Sequence, residues 1–111
     1  MRLMTPNAIT VNLADVVAIL RQKMGGVEKI ILFGSQARGE ADEMSDLDLI
    51  VIQKTEKGFV DRLASVPLLP VHADVFVYTP AEFELMREHE NPFIMSALEH
   101  AKIIYPSDEK L

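Results

Sequence analysis

Cysteine is missing from this 111-residue chain, so neither disulfides nor thiolate metal sites can contribute to its fold or chemistry. The opening residues, "MRLMTPNAIT", lack the apolar core of a secretory signal. No apolar run approaches the roughly 20 residues that cross a bilayer. Together these absences point to a reducing, cytoplasmic setting without membrane insertion. Positive charge is also scarce. Eleven Lys and Arg face seventeen Asp and Glu, and a net charge of -6 disfavours direct binding to polynucleotides or anionic lipid. Nucleotides stay open as ligands, because bound divalent cations reverse the local sign of an acidic site.

What is present suits one domain spanning residues 1–111, with 49% hydrophobic residues to build its core. The stretch "TVNLADVVAILRQKMGG" places Leu13, Val16, Val17, Leu20 and Met24 at helical spacing, with Thr10 or Asn12 as cap and Gly25-Gly26 as stop. "KIILF" is too short for a helix and reads as a buried strand ending at Gly34. "SQARGE" then starts a helix, with Ser35 as its N-cap and Gly39 as a breaker. A second strand, "DLDLIVI", follows. Phe59, Val60 and Leu63 mark a short helix inside a connection long enough for a parallel crossover, after which "VHADVFVY" forms a third strand. Thr79, Pro80 and Glu82 make a capping-box helix start, Asn91-Pro92 makes another, and "KIIY" adds a short edge strand. The expected fold is therefore α/β (α+β), a small mixed sheet with helices packed on it.

Connection lengths make the first two strands antiparallel and the second and third parallel. One edge of the sheet would then gather Gly34-Ser35, Asp46, Asp48 and Asp74. Side chains alternate along a strand, so Asp46 and Asp48 would share a face, roughly 6.6 Å apart along it. Carboxylates gathered without a counter-charge raise one another's pKa values, and hard divalent cations relieve that repulsion. Glycine lets phosphate approach the backbone, and a helix start offers it free N–H groups. His72, His89 and His100 share no ligand spacing and receive no role.

Gly34-Ser35, a ten-residue gap, Asp46-x-Asp48 and a later Asp74 resemble the signature of minimal nucleotidyltransferases in the DNA polymerase β-like superfamily. The resemblance includes "GSQARGEADEMSDLDL" as a block and covers most of residues 10–105. It implies the nucleotidyltransferase fold, with Asp46 and Asp48 binding the metals that grip a nucleotide. By the same resemblance, Asp74 completes one metal site and helps deprotonate an acceptor hydroxyl, while Gly34 and Ser35 hold the phosphates. Arg38 would add charge near them. The implied ligands are ATP and Mg2+, as two ions. The implied reaction is attack of an acceptor oxygen on the α-phosphorus of a nucleoside triphosphate, with loss of pyrophosphate. Members of this kind are antitoxins paired with a HEPN-domain toxin, to which they transfer AMP on a tyrosine. Two other readings stay open: a binding protein that occludes its toxin without catalysis, in a hetero-oligomer, or an enzyme acting on a small-molecule hydroxyl in a pocket completed by homo-oligomerisation.

Overall fold

The computed structural model describes residues 12–39 and 46–108. The helically spaced apolar residues after Asn12 form α1, Leu13–Lys23. Asn12 caps it by accepting from the Ala14 N–H at 3.0 Å, while Thr10, the other cap candidate, lies outside the described residues. Only one stripe of α1 faces inward. Val16 and Leu20 are fully buried, and Met24 continues the stripe just past the helix end.

Four strands follow: β1 (Val27–Phe33), β2 (Leu47–Gln53), β3 (Ala73–Tyr78) and β4 (Lys102–Tyr105). They form a single mixed sheet in the order β3-β2-β1-β4. β1 runs antiparallel to both β2 and β4, whereas β2 and β3 are parallel, as the connection lengths predict. β2 sits inside the sheet and is covered on both faces beyond Asp48, which is why residues 49–52 form a continuous apolar run rather than an alternation.

The two faces build two cores. On one, Ile30, Leu32, Leu47, Leu49, Val51 and Val77 pack against Val16, Leu20 and Met24. On the other, Ile31, Phe33, Ile50 and Ile52 meet Phe83, Ile94 and Ala97 from two later helices, α4 (Pro80–Glu88) and α5 (Pro92–Ala97). Each fully buried aliphatic side chain contributes about 1.5–3 kcal/mol, so truncating Ile50 to Ala should cost about 2–5 kcal/mol. Both helix starts form as read from the sequence. Thr79 accepts from the Glu82 N–H while the Glu82 carboxylate accepts from the Thr79 N–H, and Asn91 accepts from Phe93 and Ile94. A 3-10 turn, Leu98–His100, leads from α5 to the edge strand β4.

Two local expectations change. The helix after β1, α2 (Gly34–Arg38), begins at Gly34, so its N-cap is Phe33 and Ser35 lies within the helix rather than capping it. The cause is Gly34 itself, whose φ of 77° turns the chain directly out of the extended Phe33. Helix α3 (Phe59–Ala64) forms where Phe59, Val60 and Leu63 mark it, yet it turns these outward, at 53%, 75% and 40% exposed. Arg62 is the buried residue instead, at 3% exposed. Its guanidinium makes two hydrogen bonds to Glu82, at 2.5 and 2.9 Å, and this tertiary pairing decides which side of α3 faces in.

Candidate functional site

Sheet register does the assembling. Phe33, the last residue of β1, pairs with Asp48 of β2, and Asp48 pairs in turn with Asp74 of β3. One rung therefore carries both aspartates on neighbouring strands, about 4.8 Å apart along the hydrogen-bonding direction. Gly34 follows Phe33 just past that rung and closes over the Asp48 side chain. A Cβ there would overlap Asp48 Oδ2 and stand 3.2 Å from its Cγ, and the positive φ excludes other residues as well. The approach of Gly34 to the Asp48 carboxylate thus depends on a missing side chain.

Asp46 precedes β2 by one residue and is exposed, as is Asp74, while Asp48 is half-buried between them. The Asp48 carboxyl is pushed above its ordinary range, first by burial, then by the negative charges of Asp74 and Asp46, with Arg38 opposing. This coupling brings Asp46, Asp48, Asp74 and Arg38 within one electrostatic neighbourhood. Among the described residues, no three His, Asp or Glu side chains are drawn into an ion-holding group. The chemistry of the donor set still fits a hard cation: oxygen ligands only, mutual repulsion, and a glycine-lined approach for phosphate. Ser35 sits at the start of α2, beside Gly34, and is partly buried.

The same face carries an aromatic group that the sequence disclosed only in part. Phe76 follows Asp74 by two residues and so shares its side of β3, a parity visible in the sequence. Its ring centroid lies 4.9 Å from that of Phe93 and 5.9 Å from that of Phe33, and Phe93 meets Phe33 edge-on at 5.7 Å. No local pattern could place Phe93 here, because it arrives from α5, almost twenty residues farther along the chain.

Comparison with known proteins places this arrangement among relatives. The family described as "Nucleotidyltransferase domain" matches residues 13–106. "Putative protein adenylyltransferase MJ0604" of Methanocaldococcus jannaschii is 32% identical over 89 residues, covering 79% of this chain and 88% of the relative. Among solved structures, "a putative nucleotidyltransferase from Sulfolobus solfataricus" superposes with a TM-score of 0.55 at 18% identity, over 89% of this chain and 82% of the other. A "toxin-antitoxin with AMP-PNP" superposes with a TM-score of 0.58 at 21% identity, over 86% and 73% of the two chains. These two likenesses are of fold.

Proposed function

The chain belongs to the nucleotidyltransferase-domain family, and on that premise we propose that it moves AMP from ATP to a hydroxyl of a partner protein, a HEPN-type toxin, and so acts as an antitoxin. The observation that carries the reading is the rung of Asp48 and Asp74 under Gly34, in a chain whose relative is named a protein adenylyltransferase. The toxin-antitoxin structure solved with AMP-PNP supports the antitoxin setting.

Asp46 and Asp48 would hold magnesium, with Asp74 completing one of two sites. Bound there, magnesium supplies positive charge against the phosphate oxygens. Gly34 leaves room for a phosphate beside Asp48, and Ser35 offers a hydroxyl and an N–H to it. Arg38 adds a positive charge on the same side. Asp74 takes the acceptor proton as the hydroxyl oxygen bonds to the α-phosphorus, and the bond to the departing pyrophosphate breaks. A tyrosine phenol is the proposed acceptor.

The test is intact-mass spectrometry of the HEPN partner after incubation with the full chain, ATP and magnesium. One or more added AMP masses on the partner, mapped to tyrosine and absent with Asp48→Asn, is the expected result. An unmodified partner in a complex that demonstrably forms, with AMP transferred instead to a small molecule, overturns it.

A further inference from the structure

We propose that Phe76 and Phe93 form the wall against which the aromatic ring of the acceptor is placed. This inference rests on the reading of the site as a transferase acting on a hydroxyl, and adds a positioning role for two residues outside the charged cluster.

Three observations carry it. The wall is continuous with the site, since Phe76 stands two residues beyond Asp74 on the same face of β3, about 6.6 Å along the strand. It is also uneven. Phe33, nearest Gly34, is 8% exposed and spent on packing, whereas Phe76 and Phe93 are only half-buried. The open part of the aromatic surface therefore lies on the Asp74 side of the rung, away from the glycine that admits phosphate. A flat group resting there belongs to the acceptor rather than to the nucleotide base. Lastly, Phe33 packs against both rings, at 5.9 Å from Phe76 and 5.7 Å from Phe93, so the partly exposed pair is held in a fixed arrangement, tilted at 47° with centroids 4.9 Å apart.

Ring placement of this kind selects phenols over aliphatic alcohols and orients the hydroxyl toward Asp74. An aliphatic serine hydroxyl would gain nothing from the wall. Phe76 and Phe93 touch no phosphate in this scheme, so their loss should act on the acceptor alone.

The experiment is saturation-transfer NMR on the full chain with magnesium and AMP-PNP, using N-acetyl-tyrosinamide and N-acetyl-serinamide as probes. The tyrosine ring protons should receive saturation and the serine probe should not. Phe93→Leu, which keeps an apolar side chain, should weaken the tyrosine signal about 2- to 12-fold, the worth of one ring contact, and Phe93→Tyr should restore it. AMP-PNP affinity should be unchanged in both. Phe76→Leu repeats the comparison should Phe93→Leu fail to fold. Absence of tyrosine binding to the unaltered protein overturns the proposal, as does weakened AMP-PNP affinity in Phe93→Leu, which would assign the wall to the base. Equal binding in Phe93→Leu and the unaltered protein, with only the melting temperature lowered, would reduce both rings to packing. Because binding is read without turnover, these outcomes stand apart from the mass-spectrometric test of AMP transfer.

Discussion

Strand β3 has a charged cluster at each end, and the two are built on opposite terms. At its start, Asp74 faces Asp48 across the parallel pair, and like charges push the Asp48 carboxyl above its ordinary range. Beyond its finish, Glu82 receives two hydrogen bonds from Arg62 and one from the Thr79 N–H, and the hydrogen bond from Arg62 leads in holding its carboxyl below the ordinary range. The second cluster pairs opposite charges, leaving only the Arg62 Nε of its guanidinium without a hydrogen-bond partner, and it ties α3 to α4. The first keeps a repulsion that the fold tolerates, and such pairs are where a ligand has most to relieve. The comparison teaches where to look for chemistry: at the charges left unreconciled, not at the best-bonded ones.

The sharpest way to break the comparison is to remove one charge from the first cluster. Asp48→Asn should lower AMP transfer by at least roughly 10²- to 10³-fold, the scale of losing one preorganised electrostatic partner. The same change removes repulsion, so the metal-free protein should melt no lower than the unaltered one. It should also lose the added stability that ATP and magnesium confer together. Thermal melts with and without the two ligands check this, and an Asp48→Asn protein that keeps full transfer would remove the site from Asp48.

At the paired cluster of Arg62 and Glu82, the expected effect falls on stability and is asymmetric. Arg62 is 3% exposed and the Glu82 side chain 45% exposed, so deleting the acid leaves a charge buried, while deleting the base leaves one that water can reach. Glu82→Ala should therefore cost about 3 kcal/mol or more, and Arg62→Met about 1 kcal/mol. Urea titrations of both variants check the order. Equal costs would show that Arg62 finds water when its partner is gone.

Acid separates the clusters by sign. Glu82 has a depressed folded pKa, so its contribution is complete above its ordinary value of 4.5 and is lost as pH falls through the lower folded value. Asp48 has a raised folded pKa, so its charge weighs against the metal-free fold once pH rises above 3.8, fully so above the folded value. The stability deficit of Glu82→Gln should accordingly shrink below pH 4.5. Any gain from Asp48→Asn should be present at pH 7 and vanish toward pH 3.8. Melting temperatures collected from pH 7 to 3 would show two difference curves of opposite sign.

Much of this was legible beforehand because it is local. Thr79-Pro80-Ala81-Glu82 and Asn91-Pro92 carry their own hydrogen-bond partners within four residues, so no distant contact is needed to read them. The gathering of Asp48 and Asp74 at one sheet edge followed from connection lengths and strand parity, whereas the register that sets them on one rung depends on how the strands pack and is not written locally. Arg62 was illegible for the converse reason: its partner lies twenty residues away, and a helix turn written as Phe-Val-Asp-Arg-Leu gives no sign that the arginine faces in. The cap was placed two positions late, at Ser35 rather than Phe33, because a serine at a helix start is a strong local cap signal, while the φ of Gly34 is set by its approach to Asp48. Phe93 belongs with Arg62, a side chain delivered to its place by tertiary packing.

The smallest effect tests whether the paired cluster of Arg62 and Glu82 is one unit. Thr79 and Asn91 cap adjacent helices by the same device, a side-chain oxygen accepting from backbone N–H groups, at 3.1 Å for Thr79 and at 2.9 and 3.2 Å for Asn91. Either cap replaced by Ala should cost about 1 kcal/mol. Their surroundings differ, since Thr79 shares its capping box with Glu82 and through it with Arg62, whereas the cap interactions of Asn91 stay within α5. In double-mutant cycles against Arg62→Met, Asn91→Ala should add to within about 0.5 kcal/mol, while Thr79→Ala should couple by more than that. Thr79→Ala and Arg62→Met each loosen the same carboxylate, so the second loss should cost less than the first. Strict additivity of both caps would show that Glu82 serves its two partners independently, and the second charged cluster would then be two contacts that happen to share an acid.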